Sequence, residues 1–130
     1  MTIAVFCIAA MALLIFLLGL LVSLRRGSSK VIFGLESDPT SSLNKAARAH
    51  GNASEYVPAL AVLMLYLGTQ TVAPWVGWTM IAAAVARYLV VFGFLTCRSL
   101  DEINIFKAIG AMVTYAAGIA LCVAAVMTVA

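Results

Sequence analysis

Apolar residues run almost unbroken through Ile3–Leu24, Val72–Phe94 and Ile103–Ala130, and a shorter run, Tyr56–Leu67, follows a polar lead-in. A bilayer core takes about 20 apolar residues of helix to cross, so the three long runs predict spanning helices. The shorter run reaches that length only if its helix begins near Ser42 and takes in Arg48–Glu55, with the charged half toward one membrane surface. Short connections leave no room for a separate soluble domain. Residues 1–130 therefore read as a single all-α unit, an integral membrane four-helix bundle. The first run has no basic leader and no small-residue cleavage site before Arg25-Arg26, so a retained first helix is expected, not a cleaved signal.

Local signals place the element ends. The first helix is expected to stop at Arg25-Arg26-Gly27-Ser28-Ser29, and Val31–Thr40, with Gly34, Glu36, Asp38 and Pro39, reads as a loop. Ser41 or Ser42 can cap helix two by accepting an orphan backbone N–H. Pro58 removes the bond to the carbonyl of Ser54 and predicts a bend beyond Glu55 and Tyr56. Pro74 opens helix three, with Trp75 and Trp78 as interface anchors. Ser99-Leu100-Asp101-Glu102 has capping-box spacing and predicts the start of helix four. Gly110, Thr114, Gly118 and Cys122 then form a small-residue stripe suited to close helix approach.

Composition agrees with the pattern: the chain is 65% hydrophobic and 10% charged, with mean hydropathy +1.11, far from a soluble domain. The net charge of +3 reports topology. Arg25, Arg26, Lys30, Lys45 and Arg48 lie in or beside the first connection, Thr69-Gln70-Thr71 carries no cation, and Arg98 and Lys107 flank the third. Basic loops stay inside, so the first and third connections are expected to be cytoplasmic and both termini outward, in a bacterial inner membrane. Dispersed cations give no reason to invoke nucleic acid. Cys7, Cys97, Cys122 and the single His50 form no ligand cluster, so no metal is expected. Cys7 and Cys122 read as packing residues.

The anomaly is Arg48-Ala49-His50-Gly51-Asn52-Ala53-Ser54-Glu55-Tyr56-Val57-Pro58. Positions 48, 52, 55 and 56 follow i, i+4, i+7, i+8 and share one helical face. A charge near the bilayer centre costs about 2.5–3.5 kcal/mol even on the gentler scale, so this stripe should face a polar cavity or the bundle interior. Arg48 and Glu55 lie about 10 Å apart along the axis. They pair directly only if the arginine stretches; otherwise a zwitterion such as glutathione could lie between them, carboxylate on Arg48, ammonium on Glu55, amide on Asn52. The competing structural reading pairs Glu55 with Arg87 on helix three. His50 points about 200° from Arg48 and reads as an interfacial or subunit-contact residue, and Tyr56 as a ligand donor or an interface anchor. A reacting thiol needs its thiolate, which a nearby cation favours. Arg98 is the best-placed candidate for thiol activation and Arg87 the second.

The helix-two segment resembles the signature of the MAPEG family, the membrane-associated proteins in eicosanoid and glutathione metabolism. Arg87 with Gly93-Phe94, and Ser23-Leu24-Arg25-Arg26, resemble that family's patterns in helices three and one. The resemblance implies a homotrimer with glutathione as co-substrate, bound at subunit interfaces near the cytoplasmic side. Arg48, Asn52, Glu55 and Tyr56 would be glutathione contacts, and Arg25 or Arg26 would reach a ligand held mainly by the neighbouring subunit. Departures exist. The helix-three tyrosine of the eicosanoid branch falls at Val90, the later aromatic is Phe94, and the branch's thiol-activating arginine aligns near Asp101.

Glutathione binding is thus better supported than thiol activation, and eicosanoid synthesis is disfavoured. The leading expectation is a membrane glutathione transferase taking hydrophobic electrophiles from the bilayer, with peroxide reduction left open. The alternative is a member that binds glutathione or lipid without turnover. A small multidrug exporter shares the size but wants a carboxylate in its first helix, and Met1–Leu24 holds none.

Overall fold

The computed structural model describes all residues, 1–130. Four helices follow in order: α1 (Thr2–Ser29), α2 (Ser42–Thr69), α3 (Pro74–Thr96) and α4 (Ile105–Met127). α1, α3 and α4 are long and apolar enough to cross a membrane. At 28 residues α2 is about 42 Å long, but Lys45, Arg48 and Glu55 make its first half polar. The α1–α2 and α3–α4 connections share one end, where the Leu100 amide donates to the Pro39 carbonyl at 3.1 Å. The short α2–α3 turn and both termini share the other, where Tyr66 and Thr128 hydroxyls meet at 2.7 Å.

Several end signals act as read. The Ser41 hydroxyl accepts from the amides of Leu43 and Asn44 at the start of α2, and Pro74 sits in the first turn of α3. α2 continues through Pro58. One boundary agrees with the sequence reading and one differs. α1 ends within the expected Arg25–Ser29 segment, at its last residue, Ser29, with Lys30 in a left-handed conformation. Hydroxyls of Ser28 and Ser29 donate back to the Arg25 carbonyl, and one glycine costs a solvated helix end only about 1 kcal/mol.

α4 does not start at Ser99. The Ser99 hydroxyl accepts from the Asp101 amide in a turn, and Asn104 caps the helix by accepting from the amides of Phe106 and Lys107 at 2.9 and 3.2 Å. Packing fixes that start. A Cβ on Gly93 would lie 2.7 Å from the Lys107 nitrogen, so the first turn of α4 sits on bare α3 backbone.

α4 packs chiefly on α3, and α1 on α2, leaving the α2–α4 seam loosely closed. The tightest approach is at Gly110, where a Cβ would meet Val90 Cγ2 at 2.6 Å and the Ala86 carbonyl at 2.9 Å. The buried stripe of α4 is Gly110, Thr114, Ala117, Leu121 and Ala124. It shares only its first two members with the predicted stripe, because seven-residue recurrence keeps a seam facing a neighbouring helix better than strict spacing of four. Gly118 and Cys122 instead line the α2–α4 seam, and Cys122 is exposed. The main core (Met11, Met64, Leu67, Val76 and Leu121 among its members) contains no polar side chain; a smaller cluster of Leu14, Leu18, Ala49, Ala53 and Val91 joins α1 to the polar half of α2 and to α3.

Candidate functional site

Below the main core, toward the two long connections, the packing opens into a cavity of about 330 Å³. It is walled by Asn52 and Tyr56 of α2, Arg87, Val90 and Phe94 of α3, and Asn104, Lys107 and Tyr115 on the α4 side. Arg87 lies nine residues from the end of α3, about 14 Å along its axis, and is 1% exposed. Its guanidinium donates to the Asn52 carbonyl at 3.2 Å, to the Asn52 side-chain oxygen, and to the Thr114 hydroxyl at 3.5 Å. It also sits 5.0 Å over the Tyr56 ring. Its Nε has no partner, an omission that ordinarily costs about 1–3 kcal/mol when buried.

The expected structural pair between Glu55 and Arg87 is not formed. Glu55 pairs with Arg48 instead, at 3.7 Å, and it is the one ion pair of the subunit. Helix rotation explains this. At about 100° per residue, positions 48 and 55 point within roughly 20° of each other, while 52 and 56 are turned about 40–80° further round. The stripe is therefore a fan. Asn52 and Tyr56 turn inward to Arg87, and Arg48 and Glu55 stand on the outer edge, each 54% exposed. The arginine does stretch along the helix, and a pair so exposed is worth about 0–1 kcal/mol. It is held together weakly and opens at little cost.

The remaining candidates are dispersed. Arg26 donates to the carbonyls of Val31, Ile32 and Gly34 at 3.5, 3.3 and 3.0 Å, so it shapes the α1–α2 connection. Arg98 is exposed and does not line the cavity. His50 is partly buried and approaches α1, where a Cβ on Gly19 would meet its Nε2 at 3.4 Å. Tyr56 is a wall residue of the cavity, and its hydroxyl meets that of Tyr115 at 3.2 Å.

From the sequence Lys107 counts only as a topology signal, and nothing marks Asn104 or Tyr115 individually. The signal was there in Lys107-Ala111-Tyr115, which repeats every four residues and puts a cation and a phenol on one face of α4. A second space of about 480 Å³, almost wholly apolar, adjoins the first along the α2–α4 seam. Tyr56 and Tyr115 belong to both. A chamber whose lining carries two cations and no carboxylate thus shares its wall with an apolar groove, an arrangement that can hold an anionic group beside a hydrophobic one.

In the loop outside the membrane, Thr40 donates to the Asp38 carboxylate from both its amide and its hydroxyl, which holds that carboxyl below the usual carboxylate range. Asn44, buried at the start of α2, accepts from the Glu36 amide and donates to the carbonyls of Glu36 and Asp38. These contacts fasten the long connection over the polar end of α2.

No curated protein matches the chain. The family profile that matches is that of the MAPEG family, over residues 3–127, which takes in α2, α3 and α4 whole and all of α1 but Thr2. With three helices apolar enough to cross a bilayer and a match over nearly its whole length, this membrane protein belongs to the MAPEG family.

Proposed function

We propose that the protein is a membrane-bound glutathione transferase, joining the glutathione sulfur to hydrophobic electrophiles that arrive through the bilayer. One observation carries the reading: a half-exposed Arg48–Glu55 pair lies on the same α2 segment as Asn52 and Tyr56, which with Arg87 wall the cavity. In an extended tripeptide, the carboxylate of the γ-glutamyl end replaces Glu55 on Arg48, and its ammonium replaces Arg48 on Glu55. Asn52 and Tyr56 then meet the amides, and the thiol reaches the chamber in front of Arg87. The apolar groove beside Tyr56 and Tyr115 offers the electrophile a path from lipid.

A half-exposed ion pair on a helix of a membrane bundle wants cover from acyl chains. That requirement supports a homotrimer in which the neighbouring subunit closes the cleft and presents Arg26 or Arg25 to the ligand. The basic connections support a reading in which this end faces the cytoplasm, in a bacterial inner membrane. Purified protein assayed with a chromogenic aryl halide tests the reading. Wild type is expected to turn over, and Arg48→Ala and Glu55→Gln to fall toward background. Equal background rates in all three would reject an enzyme.

A second reading, a glutathione- or lipid-binding member without turnover, is favoured by Val90 and Phe94, which put no hydroxyl on the α3 wall. It predicts thermal stabilisation that grows with glutathione or lipid concentration in the absence of conjugation.

A further inference from the structure

We propose that Lys107 is the catalytic cation that holds the glutathione sulfur as a thiolate in the α2–α3–α4 chamber, with Arg87 as the positioning charge behind it. The assignment rests on the glutathione reading above, and goes beyond it by naming the residue that acts on the sulfur. Four observations lead to it.

The chamber is lined by two cations and no carboxylate, and neither cation has a carboxylate partner elsewhere, since Arg48–Glu55 is the one ion pair. The chamber lining therefore carries positive charge with no directly paired carboxylate, in surroundings where charge interactions are screened less than in water. Arg87 is anchored and nearly inaccessible, with its outer nitrogens engaged by Asn52 and Thr114. It contributes a fixed field and one unpartnered buried nitrogen, but no free edge for a ligand to grip.

Lys107 differs in each respect. It is half-buried, on a flexible stem, and its ammonium donates to the carbonyls of Glu102 and Leu100 at 2.9 and 3.5 Å. An ammonium has three N–H donors, so one remains after those two bonds. The ring of Phe94 lies 5.4 Å away, a contact that favours the cation and keeps it in the chamber. Arg98 offers none of this, being exposed and outside the chamber lining.

The step balances without a further reactant. The thiol proton leaves to water at the chamber mouth, and the thiolate is held by the third N–H of Lys107. A sulfur lone pair then forms the S–C bond to an aryl halide, and the electrons of the broken carbon–halogen bond depart with the halide.

The test uses the full-length protein in lipid nanodiscs and reads the ultraviolet thiolate band of bound glutathione against pH. S-methylglutathione, whose sulfur cannot ionise, reports binding and folding separately. Lys107→Met is expected to raise the pH at which the bound thiol ionises by about one unit, roughly a tenfold loss of thiolate at neutral pH. S-methylglutathione affinity should be unchanged, and Lys107→Arg should restore ionisation. If Lys107→Met no longer binds S-methylglutathione, Lys107→Gln, which keeps two donors for the carbonyls, is read by the same criterion.

Ionisation as in wild type in a variant that still binds S-methylglutathione overturns the assignment and leaves Lys107 as a clamp on the α3–α4 connection. So does a rise that follows Arg98→Ala and not Lys107→Met. Wild type that binds glutathione without lowering its thiol pKa overturns the assignment and leaves the binding reading standing. Wild type that binds neither ligand overturns both.

Discussion

The two ends of the bundle solve opposite problems with the same four helices. Toward the termini, Met11, Met64, Leu67 and Leu121 are fully buried in a core without polar side chains. Toward the long connections, the corresponding space holds Arg87, Asn52 and a chamber. In lipid, apolar side chains gain little from leaving one hydrocarbon environment for another, so the dry end is held by packing contacts. The polar end keeps a buried arginine with no carboxylate and an unpartnered nitrogen, at an expense in stability. A fold that needed only to persist would have filled that space with leucine. The difference separates residues that pack the helices together from residues that line a charged space.

Substitutions along α2, α3 and α4 can break or sharpen this contrast. The largest effect is expected at Gly110, which pins α4 to α3 one turn from Thr114. With Ala86 and Val90 backbone atoms 2.9 Å from an added Cβ, Gly110→Ala must part the helices and lose about 3 kcal/mol. Thermal unfolding should show the loss, and glutathione affinity should fall with it, because the Arg87–Thr114 bond spans the same contact. Affinity left intact would mean that chamber geometry does not depend on this packing.

Met64→Ala comes next and separates the two ends. It removes packing from the dry core and should cost roughly 2 kcal/mol, at the low end of core truncations because the lost term is contact and cavity. Glutathione affinity should not change. Arg87→Met is the mirror image. It removes a buried charge with no directly paired carboxylate at similar length, so thermal stability should stay within about 1 kcal/mol of wild type or rise, while glutathione affinity falls about tenfold, or 1.4 kcal/mol. A variant that melts far below wild type would make Arg87 a structural lock after all.

The smallest effect lies in the loop. Asp38 titrates below its usual value because Thr40 donates to it, so its contribution to stability is present above the ordinary carboxylate pKa and disappears as pH falls through the lowered folded value. Thr40→Val leaves the amide donor and removes the hydroxyl, so the Asp38 pKa should move partway up toward normal, seen by NMR titration of the side chain. Stability at neutral pH should barely respond, since the group is fully exposed.

Most of the architecture was legible because local chemistry sets it. Ser41 caps α2, Pro74 opens α3, and the polar lead-in extends the α2 run to full length. α4 was placed too early because Ser99 and Asn104 both offer cap oxygens, and the choice was made by contact between Gly93 and Lys107 across elements. The fan of Arg48, Glu55, Asn52 and Tyr56 was visible as one face, but which members turn inward depends on how α2 is rotated against α3 and α4. Periodicity says nothing about that. For the same reason Arg87 found Asn52 and not Glu55, and Lys107 and Tyr115 joined the site from a helix whose face the sequence left unassigned.

The most direct test of the central claim is equilibrium binding of glutathione to the purified protein in nanodiscs, wild type beside Arg48→Ala. The polar edge of α2 as a tripeptide cradle requires saturable binding by wild type, weakened by Arg48→Ala by about 1.5–3 kcal/mol, ten- to a hundredfold, as for a lost hydrogen bond to a charged group. Equal affinity in the two proteins, or no binding by either, would contradict it.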